Sequence, residues 1–245
     1  MESRAARMDS HALRRLDGMA TGERMSPTAT IVVLWLAFAA SHIALSSIRV
    51  REALVRRFGT NAFLGAYSLI ALALFVPLVR TYFANKHAGP LLWSIPLGTG
   101  LRWTIYVAMA VAVVLMLSGL VRPSPGNIVP GDTTPRGALR LTRHPLFMGL
   151  GIFGILHLIP NGNAADVAFF AGFPLFALIG CWHQDRRKLL AGPPGFERFY
   201  QETPFLPFTG TATLEGIREL GPALVLGGGA VTGLLRYFHP SWFGG

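Results

Sequence analysis

Apolar runs long enough to cross a lipid bilayer recur from one end of this chain to the other. The first, residues 28–48, would reach roughly 30 Å as a helix, the depth of one hydrocarbon core. Others occupy 61–79, 103–121, 145–159, 165–182 and 221–237. In lipid, backbone N–H and C=O groups find no water, so each run must satisfy itself as a helix. The pattern predicts an all-α, polytopic integral membrane protein with about six transmembrane helices. A content of 51% apolar and 14% charged residues fits that class and not a soluble domain. A cleaved signal peptide is the competing reading of the first run, but the run continues past the small residues Ala37, Ala39 and Ala40. Residues 1–25 mix both charge signs with scattered apolar residues; a disordered tail is expected there, with Met25 as an alternative start. Residues 26–245 then form one transmembrane domain.

The formal charge is +10, carried mostly by arginines at the ends of apolar runs, where they meet lipid headgroups. No basic stripe is interleaved with aromatics on a soluble module, so membrane lipid is the expected partner and nucleic acid is not. Arg49, Arg51, Arg56 and Arg57 follow the first run, on a segment patterned as an amphipathic interfacial helix. Arg122, Arg136, Arg140 and Arg143 follow the third, and Arg186, Arg187, Lys188, Arg198 and Arg218 follow the fifth. The opposite side, leaving aside the tail of residues 1–25, carries only Arg80, Lys86, Arg102 and Arg236. This asymmetry predicts a multi-pass protein of the cell inner membrane with its odd-numbered loops in the cytoplasm. The single cysteine, Cys181, excludes an intramolecular disulfide and the usual structural zinc site.

Polar chemistry is concentrated where a Pro- and Gly-rich connection, residues 122–140, runs into the fourth apolar run through Leu141-Thr142-Arg143-His144-Pro145. Proline is tolerated in the first turn of a helix, so Pro145 marks a start there. The fourth run is short, so its helix is expected to begin a turn earlier or to be shielded by its neighbours. Pro160-Asn161-Gly162-Asn163 reads as a tight turn between antiparallel spans four and five. The charged, aromatic stretch after Trp182 is expected to be a loop lying on the membrane. On this topology His42, His144 and His183 share one leaflet. His157 lies about 20 Å deeper than His144, in the other leaflet with His239. A histidine within a span is costly unless it is paired, ligating or lining a cavity, so His42 and His157 are functional candidates. Two histidines from different helices with arginines at the mouth suit bis-histidine ligation of a b-type heme. The same residues equally suit a nonheme metal, or hydrogen bonds between helices.

Thr142-Arg143-His144-Pro145 with Gly149, His157, the Asn161-Gly162-Asn163 turn, Asp185-Arg186-Arg187, Pro207-Phe208 and His239-Pro240 together resemble the NnrU family. The second half is similar to the 15-cis-zeta-carotene isomerases related to that family. Ser41-His42 with Ser46-Ser47 and Tyr67-Ser68 resembles the family's N-terminal half. The resemblance implies a membrane protein binding heme b, with His42 and His144 as axial ligands to iron. It further implies cofactor-binding roles for Arg143, Asp185 and Arg186, and catalytic roles for His144 and His157. The activity implied is cis/trans isomerisation of a hydrophobic polyene, served by an electron donor that the sequence does not identify. The family context also suggests a second reading, a non-enzymatic heme protein of nitrite and nitric oxide metabolism, or denitrification. A third is a membrane S-adenosylmethionine-dependent methyltransferase of the isoprenylcysteine type, which shares an Arg-His-Pro element. Such enzymes carry paired glutamates where this chain has Gln184-Asp185-Arg186-Arg187.

Overall fold

The structure is a computed structural model and describes residues 25–126 and 131–243; the expected N-terminal tail lies, but for Met25, outside the described residues. Its helices are α1 (Pro27–Ser46), α2 (Ile48–Phe58), α3 (Thr60–Ala84), α4 (Thr99–Val121), α5 (Ala138–Leu141), α6 (Pro145–Leu158), α7 (Ala164–Ala191), α8 (Phe196–Glu202), α9 (Thr213–Glu219) and α10 (Pro222–Phe243). No strand occurs among the described residues. Four helices, α1, α3, α4 and α7, are long and apolar enough to cross a membrane, and α6 is a shorter apolar helix. Thus the protein is all-helical and built to sit in a membrane. The sixth expected span is α10, 22 residues long but interrupted by glycines, Arg236 and His239, and it falls below the hydropathy of the other four.

Local chemistry sets the boundaries. Ser26 caps α1, its hydroxyl accepting from the Ala29 N–H at 3.2 Å, and Pro27 supplies the first turn. Gly59 turns the chain between α2 and α3 at φ +83°, a conformation that favours glycine. The α2 helix buries no residue fully and displays Arg49, Arg56 and Arg57, as an interfacial helix should, while Arg51 lies over the Phe63 ring of α3. The α6 helix begins at Pro145, not a turn earlier: the separate short helix α5 and the extended Thr142 precede it. Its length is accommodated by shielding, because α6 is sandwiched between α4 and α7.

Glycines make that sandwich tight. A Cβ on Gly149 would stand 2.7 Å from the Ala112 carbonyl oxygen of α4, and one on Gly154 would stand 2.5 Å from the Phe170 carbonyl oxygen of α7. Close approach of this kind is how helices gain packing energy where lipid removes the hydrophobic driving force. On the other flank, Trp35 of α1 packs where Gly172 of α7 leaves space and donates its indole N–H to the Phe169 carbonyl at 3.1 Å. The α6–α7 turn is strapped by the 88–93 loop: the Leu92 N–H bonds the Gly162 carbonyl at 2.8 Å, and the Trp93 indole bonds the Leu158 carbonyl at 2.9 Å.

Candidate functional site

The expected loop after Trp182 is instead the last part of α7, which runs unbroken to Ala191 and stops at Gly192 in the left-handed conformation (φ 60°, ψ 40°). The charged residues therefore sort by helical face. Trp182 and Arg186, four apart, point outward and stack, with the guanidinium 5.0 Å from the ring. Cys181 and Asp185, also four apart, are buried. His183, Gln184, Arg187 and Lys188 occupy the face that lines a cavity.

Asp185 is the centre of a buried polar knot. One carboxylate oxygen accepts from Arg143 Nε at 2.7 Å, the other meets His144 Nε2 at 2.8 Å. Arg143 also donates through Nη1 to the Thr203 carbonyl at 2.6 Å, and its guanidinium lies 4.1 Å from the Tyr200 ring centre. Further bonds stitch the motif to the 203–208 segment: the Arg143 N–H to the Pro204 carbonyl, the Phe208 N–H to the Leu141 carbonyl and the Thr142 hydroxyl to the Phe205 carbonyl. Arg143 is 7% exposed, so this pair is desolvated and owes its stability to complete pairing. Arg143 is thus a clamp between α7 and the C-terminal aromatic segment. His144 is 1% exposed; with Nε2 on the carboxylate, its Nδ1 is buried with no partner among the described residues.

Beside the knot, a cavity of about 700 Å³ opens among α1, α3, α4, α6 and α7. His42 stands on its wall in an aromatic box, ring centres 4.1 Å from Phe38, 5.0 Å from Tyr67 and 5.3 Å from Phe176. Its Nδ1 bonds the Phe38 carbonyl at 2.9 Å, which leaves Nε2 for a ligand. His183 is on the same cavity with a buried Nε2 that has no partner among the described residues. Arg51, Arg187 and Lys188 are the cations on this wall. Gln184 joins cavity and knot: it lines the cavity while donating to the Gly126 carbonyl at 2.6 Å, and the His144 ring packs against Gly126.

The structure brings His144, Arg143 and Asp185 together but does not bring His144 to the cavity that His42 lines. Arg186 faces away from it as well. His157 lies elsewhere, bonded through Nδ1 to the Phe153 carbonyl at 2.9 Å, stacked 4.6 Å from Phe170 and 6.4 Å from His239. Sequence reasoning gave Arg51 only an interfacial role and left Phe176 and Gln184 without a place in the site. The absence of any helix breaker between Trp182 and Gly192 is the signal that would have put Gln184 and Arg187 on one face. Among the described residues, no three histidine, cysteine or acidic side chains cluster as a metal site. By donor chemistry the cavity offers His42 and His183, whose Nε2 atoms make no hydrogen bond to the described residues, and imidazole is a ligand that heme iron takes; His144, the other expected ligand, does not line the cavity.

Residues 30–245 match the model of the NnrU protein family. The chain belongs to the NnrU family. It is 28% identical over 204 residues to the chloroplastic 15-cis-zeta-carotene isomerase of Arabidopsis thaliana, covering 80% of this chain and 53% of that protein. The isomerase of the same name from Zea mays is 26% identical over 198 residues, 78% of this chain and 52% of the relative. The NnrU chain spans about half the length of these curated relatives. No solved structure matches it.

Proposed function

We propose that this NnrU protein is a membrane isomerase that turns a double bond of a lipid-soluble polyene within the cavity walled by Trp35, Phe38, Phe75 and Phe176. The observation that carries the reading is the aromatic box around His42, set in a largely apolar cavity among helices long enough to cross a membrane. Likeness to two zeta-carotene isomerases supports the substrate class. Flat aromatic walls hold a conjugated chain by dispersion and edge-to-face contacts, and they exclude water from it. His42, fixed by its bond to the Phe38 carbonyl, presents Nε2 to whatever occupies the cavity. Heme b, held by His42 and His183, would supply electron density that lowers the order of the double bond. Gln184, bonded to Gly126, holds the cavity wall in register with the Arg143–Asp185–His144 knot, so the knot positions and does not touch substrate. The arginine-rich end, with the cavity mouth, faces the cytoplasm of an inner membrane.

The test is direct. The protein, produced with heme supply and reconstituted in liposomes, is given 15-cis-zeta-carotene under reducing conditions, and the isomers are separated chromatographically. Conversion that falls by roughly a hundredfold or more in His42→Ala is expected, because the variant loses a residue that holds the group acting on the double bond. Absence of conversion by a protein that shows a heme Soret band and binds the carotenoid overturns the isomerase reading. A Soret band unchanged in both His42→Ala and His183→Ala overturns the ligand assignment separately.

A further inference from the structure

Among the described residues, the cavity wall carries charge of one sign only: Arg51, Arg187 and Lys188 line it, and no aspartate or glutamate does. These cations sit close enough for Arg51 and Lys188 each to be within electrostatic reach of Arg187. Four basic groups elsewhere among the described residues find carboxylates: Arg56 with Glu52, Arg140 with Glu215 and Glu219, Arg143 with Asp185, Arg198 with Glu202; Arg186 and Arg236 lie over the Trp182 and Tyr106 rings instead. None of the three cavity cations makes such a pair among the described residues. Moreover Arg187 Nε and His183 Nε2 are buried and have no hydrogen-bond partner among the described residues. Cations that merely reach for surrounding headgroups keep their polar ends in the interface. A buried guanidinium nitrogen in a cavity is different: without an acceptor it forfeits a charge-assisted hydrogen bond at full desolvation cost.

We propose that the cavity mouth is an anion subsite, built from Arg51, Arg187 and Lys188, that seats the acidic head of a long-chain amphiphile whose tail lies against Trp35, Phe38 and Phe176. A phosphate or carboxylate accepts from a guanidinium fork, supplies the missing negative charge and leaves the chain in the apolar interior. A bare hydrocarbon would fill the interior and leave the three cations as they are. This inference concerns the mouth, does not rest on the isomerase reading, and is tested by binding alone.

The experiment uses the full chain, produced with heme supply as above, in phosphatidylcholine nanodiscs, with empty nanodiscs as the partition control. Binding of oleyl phosphate, oleyl alcohol and inorganic phosphate is measured by the rise in melting temperature and by competition. Oleyl phosphate is expected to bind roughly tenfold or more tightly than oleyl alcohol, the scale of one hydrogen bond to a charged group. The double variant Arg51→Gln/Arg187→Gln should bind the two alike, whereas Arg56→Gln, on the exposed face of α2, should keep the preference. Lys188→Gln alone should narrow it, which keeps the test available if the double variant does not fold. Equal binding of phosphate and alcohol by the parent overturns the proposal, as does a preference that survives the double variant. Displacement of oleyl phosphate by inorganic phosphate would show that the head alone is recognised, and would overturn the amphiphile.

Discussion

At the scale of single residues, the organising group is Asp185, which holds a guanidinium and an imidazole on its two oxygens while 3% exposed. Neutralising it strands Arg143 in a desolvated site. Asp185→Asn is expected to destabilise the protein by about 3–5 kcal/mol, read as a fall in melting temperature in detergent. Arg186→Gln, which loses only an outward stacking contact, should cost less than about 1 kcal/mol in the same assay. A loss for Asp185→Asn no larger than for Arg186→Gln would remove the knot from any structural role. Glu219 has a different dependence. The Gly137 N–H at 2.6 Å, with Arg140 beside it, holds its carboxyl below the ordinary range. A lowered carboxyl contributes stability above its unfolded value and loses it as pH falls through the folded one. The stability gap between parent and Glu219→Gln should therefore be open at neutral pH and close below about pH 4, measured by melting in buffers of descending pH. The importance of Arg143 and His144 was legible in their placement before a helix-starting proline. Their shared partner was not, because Asp185 is 41 residues from His144 and only the packing of α6 on α7 brings them together.

Among the elements, α7 decides the architecture. Sequence reasoning ended it near Trp182 because charge normally marks the membrane boundary. The helix continues because its charges divide by face: outward to Trp182, inward to Arg143, sideways to the cavity. A boundary read from composition misses this, since composition has no azimuth. The α4–α6 contact makes a second point. Gly149 was noted only as part of a motif, yet its missing side chain is what lets α6 approach the Ala112 carbonyl. Gly149→Val is expected to cost about 1–3 kcal/mol through overpacking. Gly227→Val, where a Cβ would meet nothing within 4 Å, should be close to neutral on melting. Similar losses for both would mean that the close approach has no energetic weight.

Across the whole molecule, the all-α membrane class follows from apolar runs of bilayer length, and the helices they predicted are present. The count of six was less legible. The α10 helix owes its place to glycine-mediated contact with α4 and to Arg236 bonding the Tyr106 hydroxyl at 3.0 Å, not to its own hydropathy. Orientation is tested by labelling. In a Cys181→Ser background, a cysteine at Arg56 should react with a membrane-impermeant maleimide in inside-out vesicles, and one at Arg102 in right-side-out vesicles. The reverse pattern would invert the topology proposed from the arginines. The native thiol has a use of its own. Cys181, the single cysteine of the chain, is 2% exposed and belongs to the cavity wall. Any reagent that alkylates it must first enter the cavity, so in the unaltered protein the alkylation rate clocks how often the site admits a visitor. An occupant seated there should slow that clock, giving a label-free way to screen candidate ligands.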